Sequence, residues 1–161
     1  MADIIVDGKT RVAFVPTIAN KAAPTVAELS AGTLLHDTLV PDGMEGFEPD
    51  PGEVDNTSFG STFDTKLPGV SSFSGTRLVL KKQDGTDTVH STLTAFDTGG
   101  NIVVRAGTKL KTDTWALSDK VQVFPIRTGA WAYVNPERNS VLKYWVATPV
   151  SAEPNFNATV A

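Results

Sequence analysis

Cysteine is absent from the sequence, and histidine occurs only as His36 and His90. Without thiols the chain builds no disulfide framework and no thiolate metal site. Two histidines far apart in sequence, one followed by Asp37 and one on an expected helix, lack the further ligands or partners that a metal or nucleophile site needs. No His-x-Glu, Gly-x-Ser-x-Gly or phosphate-binding loop is present. Basic charge is also short. The net charge is −4, whereas a free duplex-DNA binder needs clustered Lys and Arg to displace counterions. The segment Met1–Asp7 lacks a basic leader and a long apolar run, so no signal peptide is expected. No apolar stretch approaches the ~20 residues of a membrane helix.

What remains is a chain of 161 residues, enough for one domain spanning 1–161 with a real core. Its 13 glycines and 10 prolines punctuate short β-like runs and leave few helical signals. Residues 10–16 alternate as a strand, with Val12 and Phe14 on one face and Pro16 at its end. Thr25 and Glu28 have capping-box spacing, which predicts a short helix near 26–31, and Gly32 offers a left-handed stop. Residues 34–40 are expected to form a strand.

The stretch 41–55 carries Asp42, Glu45, Glu48, Asp50, Glu53 and Asp55 with no Lys or Arg. Pro41, Pro49 and Pro51 argue against regular pairing, so 41–57 is expected to be a long loop. Clustered carboxylates suit calcium, but the order from Asp50 to Asn56 is no EF-hand, because proline interrupts it and the bidentate Glu is missing. A solvated loop or one that docks on a neighbouring subunit is the alternative. Removing 42–55 is then expected to leave the domain folded and impair assembly. Residues 58–66 and 70–82 alternate on either side of Pro68-Gly69 and predict a long β-hairpin.

Val89, Leu93 and Phe96 form one stripe and predict a helix over about 86–98, capped by Thr86 or Asp87 and ended by Gly99-Gly100. Its threonines make it dependent on packing against a sheet. Three strands are expected at Ile102–Arg105, Lys120–Ile126 and Ser140–Ala147. The last is apolar on both faces, with Leu142, Tyr144 and Val146 on one side and Val141 and Trp145 on the other, so one face has a partner chain as its candidate cover. The fold class is therefore mainly β: a β-sandwich or barrel-like domain with one flanking helix. Trp131 is expected to be exposed, which marks a protein interface or, less readily, a sugar-binding surface.

The chain resembles the major tail tube proteins of long-tailed siphophages, especially those infecting actinobacteria. The resemblance rests on Ser30-Ala31-Gly32-Thr33-Leu34-Leu35-His36-Asp37, on Ser61-Thr62-Phe63-Asp64-Thr65-Lys66-Leu67-Pro68-Gly69 and on Phe73-Ser74-Gly75-Thr76. It continues in Asp119-Lys120-Val121-Gln122-Val123-Phe124-Pro125 and Asn139-Ser140-Val141-Leu142-Lys143-Tyr144. It implies a structural virion protein and not an enzyme, made in the host bacterial cytoplasm and built into the phage tail, with no cofactor and no membrane. It implies homohexameric rings stacked into a tube, one sheet of each subunit joining a continuous barrel. A tape measure protein fills that lumen, DNA transits it without specific binding, and tail terminator and tail-tip proteins close the ends. The alternative is a virion decoration or carbohydrate-binding module of the tail. On the tube reading, Asp42, Glu45, Glu48, Asp50, Glu53, Asp55, Phe59, Phe63 and Trp145 are candidates for ring and stacking contacts. Thr62, Asp64, Ser72 and Ser74, on the polar face of the expected hairpin, are candidates for the lumen. An acidic lumen would repel DNA phosphates; Lys66, Arg77, Lys81 and Lys82 stand against that expectation.

Overall fold

A computed structural model describes residues 1–161. In chain order the elements are β1 (Arg11–Val15), α1 (Val26–Ser30), β2 (Thr33–Leu34), β3 (Leu39–Glu45), β4 (Glu53–Asp55) and β5 (Lys66–Pro68). They continue with β6 (Arg77–Lys81), α2 (Thr88–Leu93), β7 (Gly99–Arg105), β8 (Lys120–Arg127), β9 (Trp131–Tyr133), β10 (Lys143–Ala147) and β11 (Asn155–Thr159). Five strands make sheet A in the order β11-β8-β7-β1-β2, four make sheet B in the order β3-β6-β10-β9, and β4-β5 stand apart as a pair. All pairings are antiparallel. Neither sheet closes on itself, so the mainly β expectation holds as a two-sheet sandwich.

The core follows from strand alternation. Val12 and Phe14 of β1, Ile102 of β7, and Phe124 and Ile126 of β8 meet Leu78 and Leu80 of β6 and Tyr144 and Val146 of β10. The other faces of β1, β7 and β8 carry Ala13, Val15, Val103, Val121 and Val123, which form a second cluster under Leu29 of α1, Trp115 and Val160. Sheet A is thus covered on both sides, which is why its central strands read as nearly continuous apolar runs. The outer face of sheet B, by contrast, has no second apolar cluster against it.

The two helices show how local signals and tertiary packing divide the work. At α1 the capping box forms as expected: Glu28 N donates to Thr25 Oγ1 at 3.2 Å and Thr25 N to Glu28 Oε2 at 2.8 Å. Gly32 does not supply a left-handed stop. A Cβ there would lie 2.8 Å from Phe14 O and from Val15 Cγ2, so glycine is needed for close approach to β1. At α2 Asp87 caps the helix by accepting from His90 N at 2.9 Å. The helix is shorter than the expected 86–98. Thr94 Oγ1 bonds back to His90 O, and Asp97 takes a left-handed φ of 56°. Leu93 is buried but Phe96 is exposed, so the stripe stops after two members. Gly99 and Gly100 open β7, where the Phe14 ring occupies the space a Cβ of Gly100 would need.

Three expectations between 34 and 82 are corrected. The strand expected at 34–40 is two strands, β2 and β3, separated by a turn at 35–38. The first residues of the expected loop 41–57 belong to β3, an edge strand, the position in a sheet that tolerates a proline such as Pro41. Asp42 has a φ of 59° and the register against β6 shifts between Leu39 and Met44, so the strand bulges there. The hairpin expected around Pro68-Gly69 is absent. Residues 66–68 pair instead with 53–55, and only 77–81 of the second run join sheet B. The strand expected from Ser140 begins at Lys143, and Val141 and Leu142 are exposed. β4, which lies inside the expected loop 41–57, and β9 and β11 are additional to the expected strands.

Candidate assembly interface

Residues 50–72 form an arm that leaves the sandwich. Its ladder starts where Asp50 and Ser72 exchange backbone hydrogen bonds of 2.7 and 3.0 Å, and continues through Gly52 N to Val70 O at 3.0 Å. It ends in the register Glu53↔Pro68, Val54↔Leu67, Asp55↔Lys66. A Cβ on Gly52 would lie 2.3 Å from Val70 O, so the arm's base needs glycine there. Beyond Asp55 the chain turns back through short local bonds: Thr57 N to Asp55 Oδ1 at 2.8 Å, Thr65 N to Thr57 Oγ1 at 2.9 Å and Ser61 Oγ to Phe63 O at 2.6 Å.

None of the arm's residues is buried. A two-stranded hairpin is marginal alone in water, and this one nevertheless exposes Val54, Leu67 and Val70 on its ladder and Phe59 and Phe63 at its tip. Phe63 is 75% exposed and Phe59 fully so. The ion pair of Lys66 with Glu53, 2.8 Å long and more than half exposed, adds little to stability. An exposed apolar hairpin of this kind is a candidate contact surface.

The acidic residues do not form one cluster. Asp42 lies on the bulge of β3. Glu45 ends that strand and pairs with Arg77. Glu48 is exposed, Asp50 accepts from Ser74 Oγ at 2.8 Å, Glu53 pairs with Lys66 and Asp55 caps the turn at Thr57. No group of three or more His, Asp or Glu side chains is arranged to hold a metal ion. Trp145 lies far from the arm in sequence, on the outer face of β10, with the Arg77 guanidinium 5.8 Å from its ring centroid. Thr62 and Asp64 sit at the arm's tip and Ser72 and Ser74 at its base, so the four do not share one strand face.

Sheet B has two free edges, β3 and β9. Near the second edge, Trp131 and Tyr133 of β9 pack with His90 of α2 against Tyr144, with centroid separations from His90 of 5.0, 6.3 and 4.8 Å. His90 is therefore enclosed by aromatic rings. The His36 imidazole is also largely buried and lies 3.6 Å from Asp37, which pairs with Lys111. Both histidines are packed into the domain.

Sequence reasoning missed a groove at the arm's base. Its walls are Val70 and Phe73 on the arm side and Val150, Pro154 and Phe156 on the other, around a volume of about 680 Å³. Phe73 and Phe156 stack at 6.5 Å, and both meet Phe124 edge-on, which ties the groove floor to the core. The two walls are far apart in sequence, and β11 carries no local signal beyond a single alternation.

A family model described as phage tail tube protein matches residues 1–161. The fold is similar to a chain in the cryo-EM structure of the anti-feeding prophage (AFP) baseplate, 6-fold symmetrised, with a TM-score of 0.56 over 96% of each chain. Identity to that chain is 11%, so the likeness concerns the fold alone. No curated protein sequence matches the chain.

Proposed function

The chain belongs to the phage tail tube protein family and is a structural protein of the phage tail, and from this premise we propose that it self-assembles into stacked hexameric rings whose lumen passes DNA to the host. The observation that carries the reading is the arm, with its uncovered Phe59 and Phe63. A chain that stayed monomeric would gain nothing from holding these rings in water. Sheet B supports it further. Its edges β3 and β9 are unpaired and its outer face is open, so joining edge to edge around a ring removes the exposed-edge liability. Six copies agree with the symmetry named for the structurally similar baseplate.

In this arrangement the acidic residues Asp42 and Glu45 lie at the β3 seam between neighbours in a ring. Glu48, Asp50, Glu53, Asp55, Phe59 and Phe63 lie on or beside the arm that reaches the next ring, and Trp145 lies on the sheet that joins neighbours. Thr62 and Asp64 travel with the tip of the arm while Ser72 and Ser74 stay at its base, so the four line the lumen together only where tip and base both face it. A tape measure protein occupies the lumen before DNA, terminator and tip proteins cap the ends, and the chain performs no catalysis. Electron microscopy of the purified protein at high concentration tests the reading. Rings or tubes are expected, and a strictly monomeric protein overturns it.

A further inference from the structure

The arm carries its apolar side chains at the tip, and a matching apolar groove lies at its base. Both are poor in charge although 20% of the chain is charged. Residues 56–65 contain only Asp64, and the groove is lined by a single charged residue, Glu153. The groove cannot receive its own tip. Val70 and Ser72 of the arm form its wall, and the ladder from Asp50 to Asp55 carries the tip about 17 Å away at strand rise. A second copy of this chain supplies an uncovered segment of the right chemistry: two exposed phenylalanines within ten residues that carry one charge. We propose that Phe59 and Phe63 of one copy insert into the groove formed by Val70, Phe73, Val150, Pro154 and Phe156 of the next. The proposal rests on the assembly reading above and names the contact that links successive copies.

The size of the contact fits a repeated linkage. Two phenylalanine rings contribute on the order of 400 Å² of apolar surface, well short of the ~1,200 Å² of a stable lone interface. Six such contacts made together between two rings act as one multivalent attachment. A weak single contact also keeps free subunits from chaining before a ring exists. Tip and groove are different patches, so the contact is heterologous and can propagate, as a tube requires.

The absence of cysteine makes the test clean. Thr62→Cys places a thiol between the two tip phenylalanines, and Ala152→Cys places one on the groove wall. The double variant, oxidised under conditions where micrographs show tubes, is expected to give a ladder of covalent multimers. Equal mixing of the two single variants should give covalent dimers and nothing larger. Adding Phe59→Ser and Phe63→Ser should abolish both and raise the concentration needed for tubes at least tenfold. Those side chains touch no core, so the fold survives their loss. Two comparison positions, Ser91→Cys on α2 and Lys143→Cys on the outer face of sheet B, should not link to Thr62→Cys. Tubes without a ladder, a ladder formed through Lys143→Cys instead, or closed covalent dimers as the sole product each overturn the docking while leaving tube formation standing. No oligomer of any kind overturns the docking and the assembly reading together.

Discussion

Arg105 Nη1 donates to Asp119 Oδ2 at 3.0 Å, and both side chains are 96% buried. The same guanidinium donates to the carbonyls of Thr114, Leu110 and Asp113, and lies 5.4 Å from the ring centroid of Trp115. One arginine at the end of β7 thus organises the whole segment that lays Trp115 over sheet A. Asp119→Ala leaves that charge without its counterion and is expected to cost about 3 kcal/mol, the low end for a broken buried pair because three carbonyls remain. Chemical denaturation of the purified variant measures it.

The same carboxylate gives the fold an acid limit. Burial opposes the charge of Asp119, but hydrogen bonds from Lys109, the Ala116 amide and Arg105 outweigh it and hold its pKa below the ordinary value. Asp87 behaves alike, with burial opposed by the amides of His90 and Gln83 and by Lys82. A depressed folded pKa means stability that is complete above the unfolded value of ~3.9 and is lost as pH falls through the folded value. The melting temperature should therefore be flat from neutral pH to about pH 5 and drop below about pH 4. Asp119→Asn should melt lower at neutral pH and show a shallower acid drop. An equal drop in variant and wild type would place the limit elsewhere.

Tyr144 is fully buried and its hydroxyl has no hydrogen-bond partner. Burial first, then Asp87 and Tyr133, push its ionisation well above the ordinary range, so it stays neutral at any working pH. Tyr144→Phe removes an unsatisfied group and should stabilise the domain by about 1 kcal/mol. The urea midpoint should rise with an unchanged slope. A clear loss would reveal a partner for the hydroxyl.

Gly100→Ala tests the packing of β1 on β7. The added Cβ would lie 2.3 Å from Phe14 Cζ, in the inner core. Forcing that ring aside should cost about 1–3 kcal/mol, seen as a lower melting temperature with the same β-rich circular dichroism.

The arm can be removed more cleanly than the sequence suggested. Cutting 42–55 would delete part of β3, whose Met44 and Glu45 pair with Leu78 and Arg77, so the folded domain expected after that cut should be lost. Replacing 53–68 by a short Gly-Ser turn removes only exposed backbone. The variant should melt like the wild type and fail to form tubes. Normal polymerisation of this variant would show that the arm is not a connector.

The parts of the fold that were legible in the sequence are those set by neighbours along the chain. The Thr25–Glu28 box and the Asp87 cap each act within four consecutive residues, and both formed. β1, β7 and β8 form close to their expected positions, but their burial on both faces was not read from the sequence, and Ser140–Ala147, the run read as apolar on both faces, has no second cluster on its outer side. The failures were non-local. Pro68-Gly69 is a good turn pair, yet residues 66–70 pair back to 52–55 across the whole tip, and no turn rule sees that distance. Pro41 and the carboxylates around it read as loop because nothing in the sequence reveals an edge position. Phe59 and Phe63 were marked as contact residues from the resemblance. The groove needed Phe73 and Phe156 to be brought together by the fold.

The three tryptophans fall into three settings, and each is an optical reporter of a different event. Trp115 is 4% exposed with the guanidiniums of Arg11 and Arg105 against its ring, so its emission reports unfolding. Trp131 sits against His90 at the free β9 edge, and its quenching follows what happens to that edge. Trp145 lies half-buried on the open face of sheet B, with the Arg77 guanidinium near its ring. Leaving one tryptophan at a time makes the chain spectroscopically separable: a signal for the fold, one for the seam and one for the face, all without a label.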